Sequence, residues 1–143
     1  MLVADLIERI ETVDALAGRV KGAAELSALF KQGGWPQASP SAFVLPLGLR
    51  PDDRGAAAAN AFTQMVDEVF GIVLYVRAAG DITGGRALPT IDQLVWATIA
   101  AVCGWGPEEA VGVFHLVRGD ILAAEAGGVA YQLDFGIQQQ VRT

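Results

Sequence analysis

Val129-Ala-Tyr-Gln-Leu-Asp-Phe-Gly-Ile-Gln-Gln-Gln-Val141 is the stretch on which the fold turns. Tyr131, Leu133, Phe135 and Ile137 alternate with Gln132, Asp134, Gly136 and Gln138. A period of two sends the first set to one face of a pleated strand and the second to the other. The chain therefore ends in a sheet with one apolar and one polar face. Antiparallel sheets read this way, whereas buried parallel sheets give continuous apolar runs. The implied class is α+β: a two-layer module with a mixed, mainly antiparallel sheet and helices packed on one face.

Working back from this strand, Gly127-Gly128 leads into it. Val111–Arg118 reads as a strand, Gly119-Asp120 as a tight turn and Ile121–Glu125 as the return. Ile91, Leu94, Val95, Ile99 and Val102 form a helix face that Gly104 closes, and Thr90-Ile-Asp-Gln93 has the form of a capping box. Phe62–Val76 is a long strand with Val66, Phe70, Ile72, Leu74 and Val76 on one parity. Val73 and Tyr75 are apolar too, so this strand is expected to be central or covered on both faces. Ala42–Leu49 is another strand, with Phe43, Leu45, Leu47 and Leu49 on one face. Pro46 cannot donate to a ladder and assigns it to an edge or a bulge.

Between these two strands, Arg50–Asn60 is a polar excursion punctuated by Gly and Pro, and Arg77–Leu88 is a second glycine-rich linker. Loops near 50–60 and 80–88 are expected to be mobile. At the start, Leu2, Leu6, Ile7, Ile10, Val13 and Leu16 make one helical stripe opposite Asp5, Glu8, Arg9, Glu11 and Asp14, with Gly18 at its end. A short extended piece (Arg19–Gly22) precedes a second helix, Ala23–Gln32, with Leu26, Leu29 and Phe30 inward. The whole is expected to be a single α+β domain over residues 1–143, and 143 residues suffice for a core without staples.

Sixteen acidic and ten basic residues give a formal charge of −6. Phosphate-tracking surfaces need clustered Lys and Arg, but here the lysines are Lys21 and Lys31 and the arginines are scattered. Sequence-specific nucleic-acid binding and anionic membranes are therefore not expected. The lone Cys103 cannot form an internal disulfide. The N-terminus lacks a basic leader, and no apolar run reaches the ~18 residues of a membrane helix. Charged residues are 18% of the chain, against ~25% in typical soluble domains, which favours burial of surface in an oligomer.

Reactive constellations are not evident. His115 is the only histidine, and no nearby acid or cysteine has the spacing of a metal ligand. Ser27, Ser39 and Ser41 sit in no nucleophile elbow. Cys103 ends a helix, where the dipole disfavours a thiolate. Gly80-Asp-Ile-Thr-Gly-Gly85 fits neither phosphate-loop pattern. The adjacent pairs Asp52-Asp53 and Glu108-Glu109 read as solvated or capping acids rather than a facing carboxylate pair. No catalytic residue, cofactor or metal is expected. Trp35, Trp96 and Trp105 read as covers for the ends of the core, with Trp35 reading equally well as an interface anchor.

With this element order, the chain resembles the tail terminator (tail completion) proteins of long-tailed bacteriophages, prophages and gene-transfer elements. The likeness lies in the long strand Phe62–Val76, the helix ending in Cys103-Gly-Trp-Gly-Pro107, the segment Val113-Phe-His-Leu-Val-Arg-Gly-Asp-Ile-Leu122, the closing Tyr131-Gln-Leu-Asp-Phe135 and the opening helix Leu2–Leu16. The resemblance implies a structural, non-enzymatic virion protein that needs no cofactor. It would be assembled in the bacterial cytoplasm as a hexameric ring capping the head-proximal end of the tail tube. Its partners would be copies of itself, the tail tube protein and a head completion or connector protein. Trp35, Arg50, Asp52, Asp53, Arg54, Asn60, Asp81 and Arg86 are the candidate contact residues. A head–tail connector or minor tail protein, and a small α+β ligand-binding or regulatory domain, stand as alternatives.

Overall fold

The computed structural model describes residues 2–33, 36, 38–51, 55–58, 61–77, 85–125 and 127–143, with side chains at all of these except 30, 56, 58 and 125. Among them, six strands form one sheet: β1 (Val20–Gly22), β2 (Ser41–Pro51), β3 (Ala56–Ala58), β4 (Ala61–Arg77), β5 (Phe114–Glu125) and β6 (Gly128–Arg142). The order is β1-β2-β4-β6-β5, with β3 paired to β4. β1 runs parallel to β2 and the other pairs are antiparallel. Three helices accompany the sheet: α1 (Leu2–Ile10), α2 (Ala23–Gln32) and α3 (Leu88–Val102). The class is α+β with a mixed, mainly antiparallel sheet, as the last strand implies.

The alternation in β6 does what its period requires. Leu133, Phe135 and Ile137 are fully buried and join Phe70, Ile72 and Leu74 of β4 in the main core. Leu6 and Ile10 of α1 and Ile91, Leu94, Val95 and Val102 of α3 close that core from one side. Each large apolar side chain so buried contributes roughly 1.5–3 kcal/mol. The central position of β4 is as expected, and Val69 through Val76 are buried on both faces.

α2 lies on the reverse face. Leu26 and Leu29 pack on Phe43, Leu45 and Val73, the residues of β2 and β4 whose parity points away from α1 and α3. The helices are thus divided between two faces, with α1 and α3 forming the principal layer. β1 and β2 are adjacent and parallel, so α2 is the crossover between them, and the preferred right-handed sense of such a connection restricts α2 to one face of the sheet.

Local corrections have clear causes. The opening helix stops at Ile10; the Thr12 hydroxyl donates to the Arg9 carbonyl at 2.6 Å and Val13 is extended, so Leu16 sits in a separate 3-10 turn. α3 starts two residues before the expected cap. Its cap is Ala87, without a side-chain bond, and Pro89 occupies the first turn, where its missing N–H costs nothing. Thr90 and Gln93 are therefore helical rather than a capping box. Gly119-Asp120 is no turn: β5 runs unbroken, and Gly119 pairs with Leu133. A Cβ there would lie 3.1 Å from Leu133 Cδ2 and from the Tyr131 hydroxyl, so this glycine makes room for side chains on β6. Within the polar excursion, β2 reaches Pro51, and Ala56–Ala58 pair with Ala61–Thr63. The second linker ends at α3, which already includes Leu88.

Candidate functional site

The segment Cys103-Gly-Trp-Gly-Pro107 ties three elements together. Gly104 (φ 79°) donates its N–H to the Phe114 carbonyl, and Phe114 donates back to Trp105, both at 2.8 Å. The Trp105 ring stacks on Phe114 with centroids 5.8 Å apart, and the Arg9 guanidinium lies 5.3 Å from the centroid of the Trp105 ring. Arg9 Nε also donates to the Ala101 carbonyl at 2.8 Å, which binds α1 to α3. Trp105 is structural, as read from the sequence. Around it lies an open cleft of about 610 Å3 whose charged lining is Asp5, Glu8, Arg9, Glu108 and Glu109. The cleft is acidic, but among the described residues no three His, Cys, Asp or Glu side chains gather as metal ligands. His115 is exposed on the face opposite α3, over Gly136.

Two apolar surfaces stand out. The first is a groove of about 540 Å3 between α3 and the sheet, where Leu88, Trp96, Leu116 and Ile121 are lined up with Tyr131 and Leu133. Trp96 is 64% exposed and Ile121 50%, so the expected role of Trp96 as a core cover does not hold. Position 96 sits one residue past the buried pair Leu94-Val95, which turns it toward β5 and water. β5 is an edge strand that the helical layer covers only in part: Phe114 lies in the core, whereas Leu116 and Ile121 stay open to water.

The second surface is the far end of the sheet. β2, β4 and β6 run past the helical layer as an arm, together with β3. Its helix-side face carries Leu49, Phe62, Val66 and Val141, interspersed with Gln64, Glu68 and Gln139. Leu49 is 66% exposed, and Phe62 and Val141 are also open to water. Leu49 reaches this face through a bulge between Pro46 and Gly48, where Gly48 has φ 125°. The extra residue flips the parity, so Leu49 does not share a face with Phe43 and Leu45 as simple alternation predicts. The reverse face of the arm is polar, with Arg50 opposite Asp67 and Gln138 beyond.

Of the candidate contact residues, Arg50 is exposed on that polar side and Arg86 is exposed in the turn before α3. The structure places them on different elements. Trp35, Asp52, Asp53, Arg54, Asn60 and Asp81 lie outside the described residues. Leu49, Phe62, Trp96, Leu116 and Ile121 were missed as surface residues. Their periodicity says which face they occupy, but not where along that face the helices stop.

No helix among the described residues is long and apolar enough to cross a membrane. No curated protein matches the chain at a significant level. The family model for the phage tail terminator protein, in contrast, matches residues 1–143. Spanning the opening helix, the long central strand, the tryptophan-bearing junction and the closing strand alike, that match shows that the chain belongs to the phage tail terminator family.

Proposed function

We propose that this protein caps the head-proximal end of a phage tail tube, ends tube polymerisation and offers the surface to which the head is joined, acting as a hexameric ring. Family membership makes it a structural component of the virion tail, one that works against other tail and head proteins. The whole-length family match is the observation that carries the reading. The two open apolar surfaces suit it, because a subunit of a closed ring needs two different patches that meet each other. The specific partners in this reading are neighbouring copies, the tube protein on one side and a head completion or connector protein on the other, with assembly in the host cytoplasm. Residues 50–60 and 80–86, with Trp35, serve as contact segments. The formal charge of −6 would let DNA pass without adhering to the wall.

The test is elongation of purified tail tube protein followed by negative-stain imaging. Added protein should bind one end and halt growth, as a ring of about 90 kDa if six 15.0 kDa chains close the circle. Tubes that grow on unchanged in its presence would overturn the reading. Binding to head connectors without any effect on tubes would favour the connector role instead.

A further inference from the structure

We infer that neighbouring copies join by seating Trp96 of one subunit in the cavity between β1, α2 and the start of β2 of the next, with Asp92 of the first beside Lys21 of the second. This contact deepens the ring reading and rests on it. The cavity has a volume of about 430 Å3, within the ~300–1,000 Å3 of ligand pockets. Ser41 and Phe43, both buried, form its floor. Ala28 and Leu29 stand on the α2 wall, and Arg19 and Lys21 on the β1 rim.

Ser41 is 4% exposed, and its Oγ is buried with no hydrogen-bond partner. The buried Thr98 hydroxyl, by contrast, donates to the Leu94 carbonyl at 2.7 Å. A buried hydroxyl left unpaired is destabilising, so one on the wall of a cavity points to a partner from outside. Alternation puts Ser41 on the same face of β2 as Phe43, the face that α2 covers. Rotation about χ1 carries its oxygen between staggered positions, where it can accept or donate. The occupant must therefore be apolar in body and polar at one point. Among the exposed large apolar side chains of the described residues, Trp96 alone carries a hydrogen-bond donor. No described residue accepts from its indole N–H. Tryptophan set in a pocket is also the commonest kind of interface anchor.

Charge agrees with this pairing. Residues 19–50 hold four cations and one acid, whereas the whole chain holds ten and sixteen. That acid, Glu25, accepts the Gly22 N–H at 3.1 Å and is engaged at the start of α2. Lys21 is exposed, and no described residue forms an ion pair with it. Asp92, the only charged residue of α3, is likewise exposed and unpaired among the described residues. The spacings match. Asp92 stands one turn before Trp96, about 6 Å along the helix. Ser41 and Phe43 are about 6.6 Å apart along β2, with Lys21 directly beside Phe43. The two sites lie toward opposite edges of the sheet, β1 and β5. Different patches meeting head to tail form the type of contact that closes into a ring. A joint with one anchor is of the weak class, and the tube end that gathers the copies raises their effective concentration.

The test is cross-linking of full-length protein with Cys103→Ser by a short bismaleimide, alongside light scattering, both in concentrated solution and on tail tubes. One preparation carries Ala28→Cys on the pocket wall and the other Gln93→Cys beside Asp92. Mixed, they should give a linked dimer that neither gives alone. Trp96→Phe and Ser41→Ala should each lower the yield about fivefold, and together no further, because they remove the two ends of one hydrogen bond. Neither should lower the unfolding midpoint. Lys21→Glu should lower the yield about fivefold, and Asp92→Lys in the partner preparation should restore it. An assembled ring with no mixed cross-link, with Gln93→Cys linking to itself, or with no rescue by the charge exchange overturns this contact and leaves the ring reading standing. A chain that stays single both in solution and at tube ends overturns the ring reading and this contact with it.

Discussion

Gly106 shows how one missing side chain fixes a junction. A Cβ at this position would come within 2.4 Å of the Gly112 carbonyl oxygen, a backbone atom that cannot swing aside. Gly106→Ala should therefore destabilise the fold by about 1–3 kcal/mol, seen as a lower urea midpoint with an unchanged slope. Gly104 beside it needs glycine for a different reason, its left-handed backbone. Tyr75 gives a prediction in pH. Burial raises its hydroxyl above the ordinary value of 10.0, with the nearby Arg77 charge pulling the other way. The neutral form is favoured in the fold, so its stability contribution is intact below the unfolded value and is lost as pH rises through the folded one. Tyr75→Phe should flatten the fall in urea midpoint between about pH 9 and about pH 11. An equally steep fall in the variant would remove Tyr75 as its source.

At the scale of elements, β6 carries the fold and the arm does not. Phe135→Ala, at a fully buried position between β4 and β5, should cost about 3–5 kcal/mol. Leu49→Ser should stay within about 0.5 kcal/mol of wild type, because Leu49 is mostly in water. Amide exchange should divide β4 in the same way, with Val69–Val76 exchanging far more slowly than Ala61–Met65. The sequence is informative in proportion to burial. β6 and β4 were legible because a half-buried strand must alternate and a doubly buried one must not. Gly119 misled because a glycine that admits Tyr131 and Leu133 looks, without its neighbours, like a turn. Leu49 misled because a bulge shifts parity without any mark in hydrophobicity. The side taken by α2 follows from the parallel pairing of β1 with β2, which makes α2 a crossover, and no local pattern encodes that pairing. The groove and arm were illegible for a related reason: their residues have core-type patterns, and only the extent of the helical layer leaves them in water.

For the molecule as a whole, the division between a helix-covered body and a bare arm separates folding from assembly. Substitutions in the arm or the groove should leave melting unchanged and impair tube capping, whereas substitutions at the Trp105 junction should lower both together. Trp105→Ala is the sharpest case, since it removes the ring stacked on Phe114 and the platform under Arg9. It should cost about 3 kcal/mol and reduce assembly in proportion to the folded fraction. A Trp105→Ala protein as stable as the parent yet unable to cap tubes would mean that this junction touches a partner.

β4 holds the body and the arm on one rod, 17 residues long and roughly 55 Å from end to end. Neighbouring strands are laddered to it along its length, and no loop interrupts it. A beam of this kind does not hinge where it leaves the body. In the proposed ring, a neighbour gripping its tip would be held at one angle to the next copy, and that angle would set the number of members.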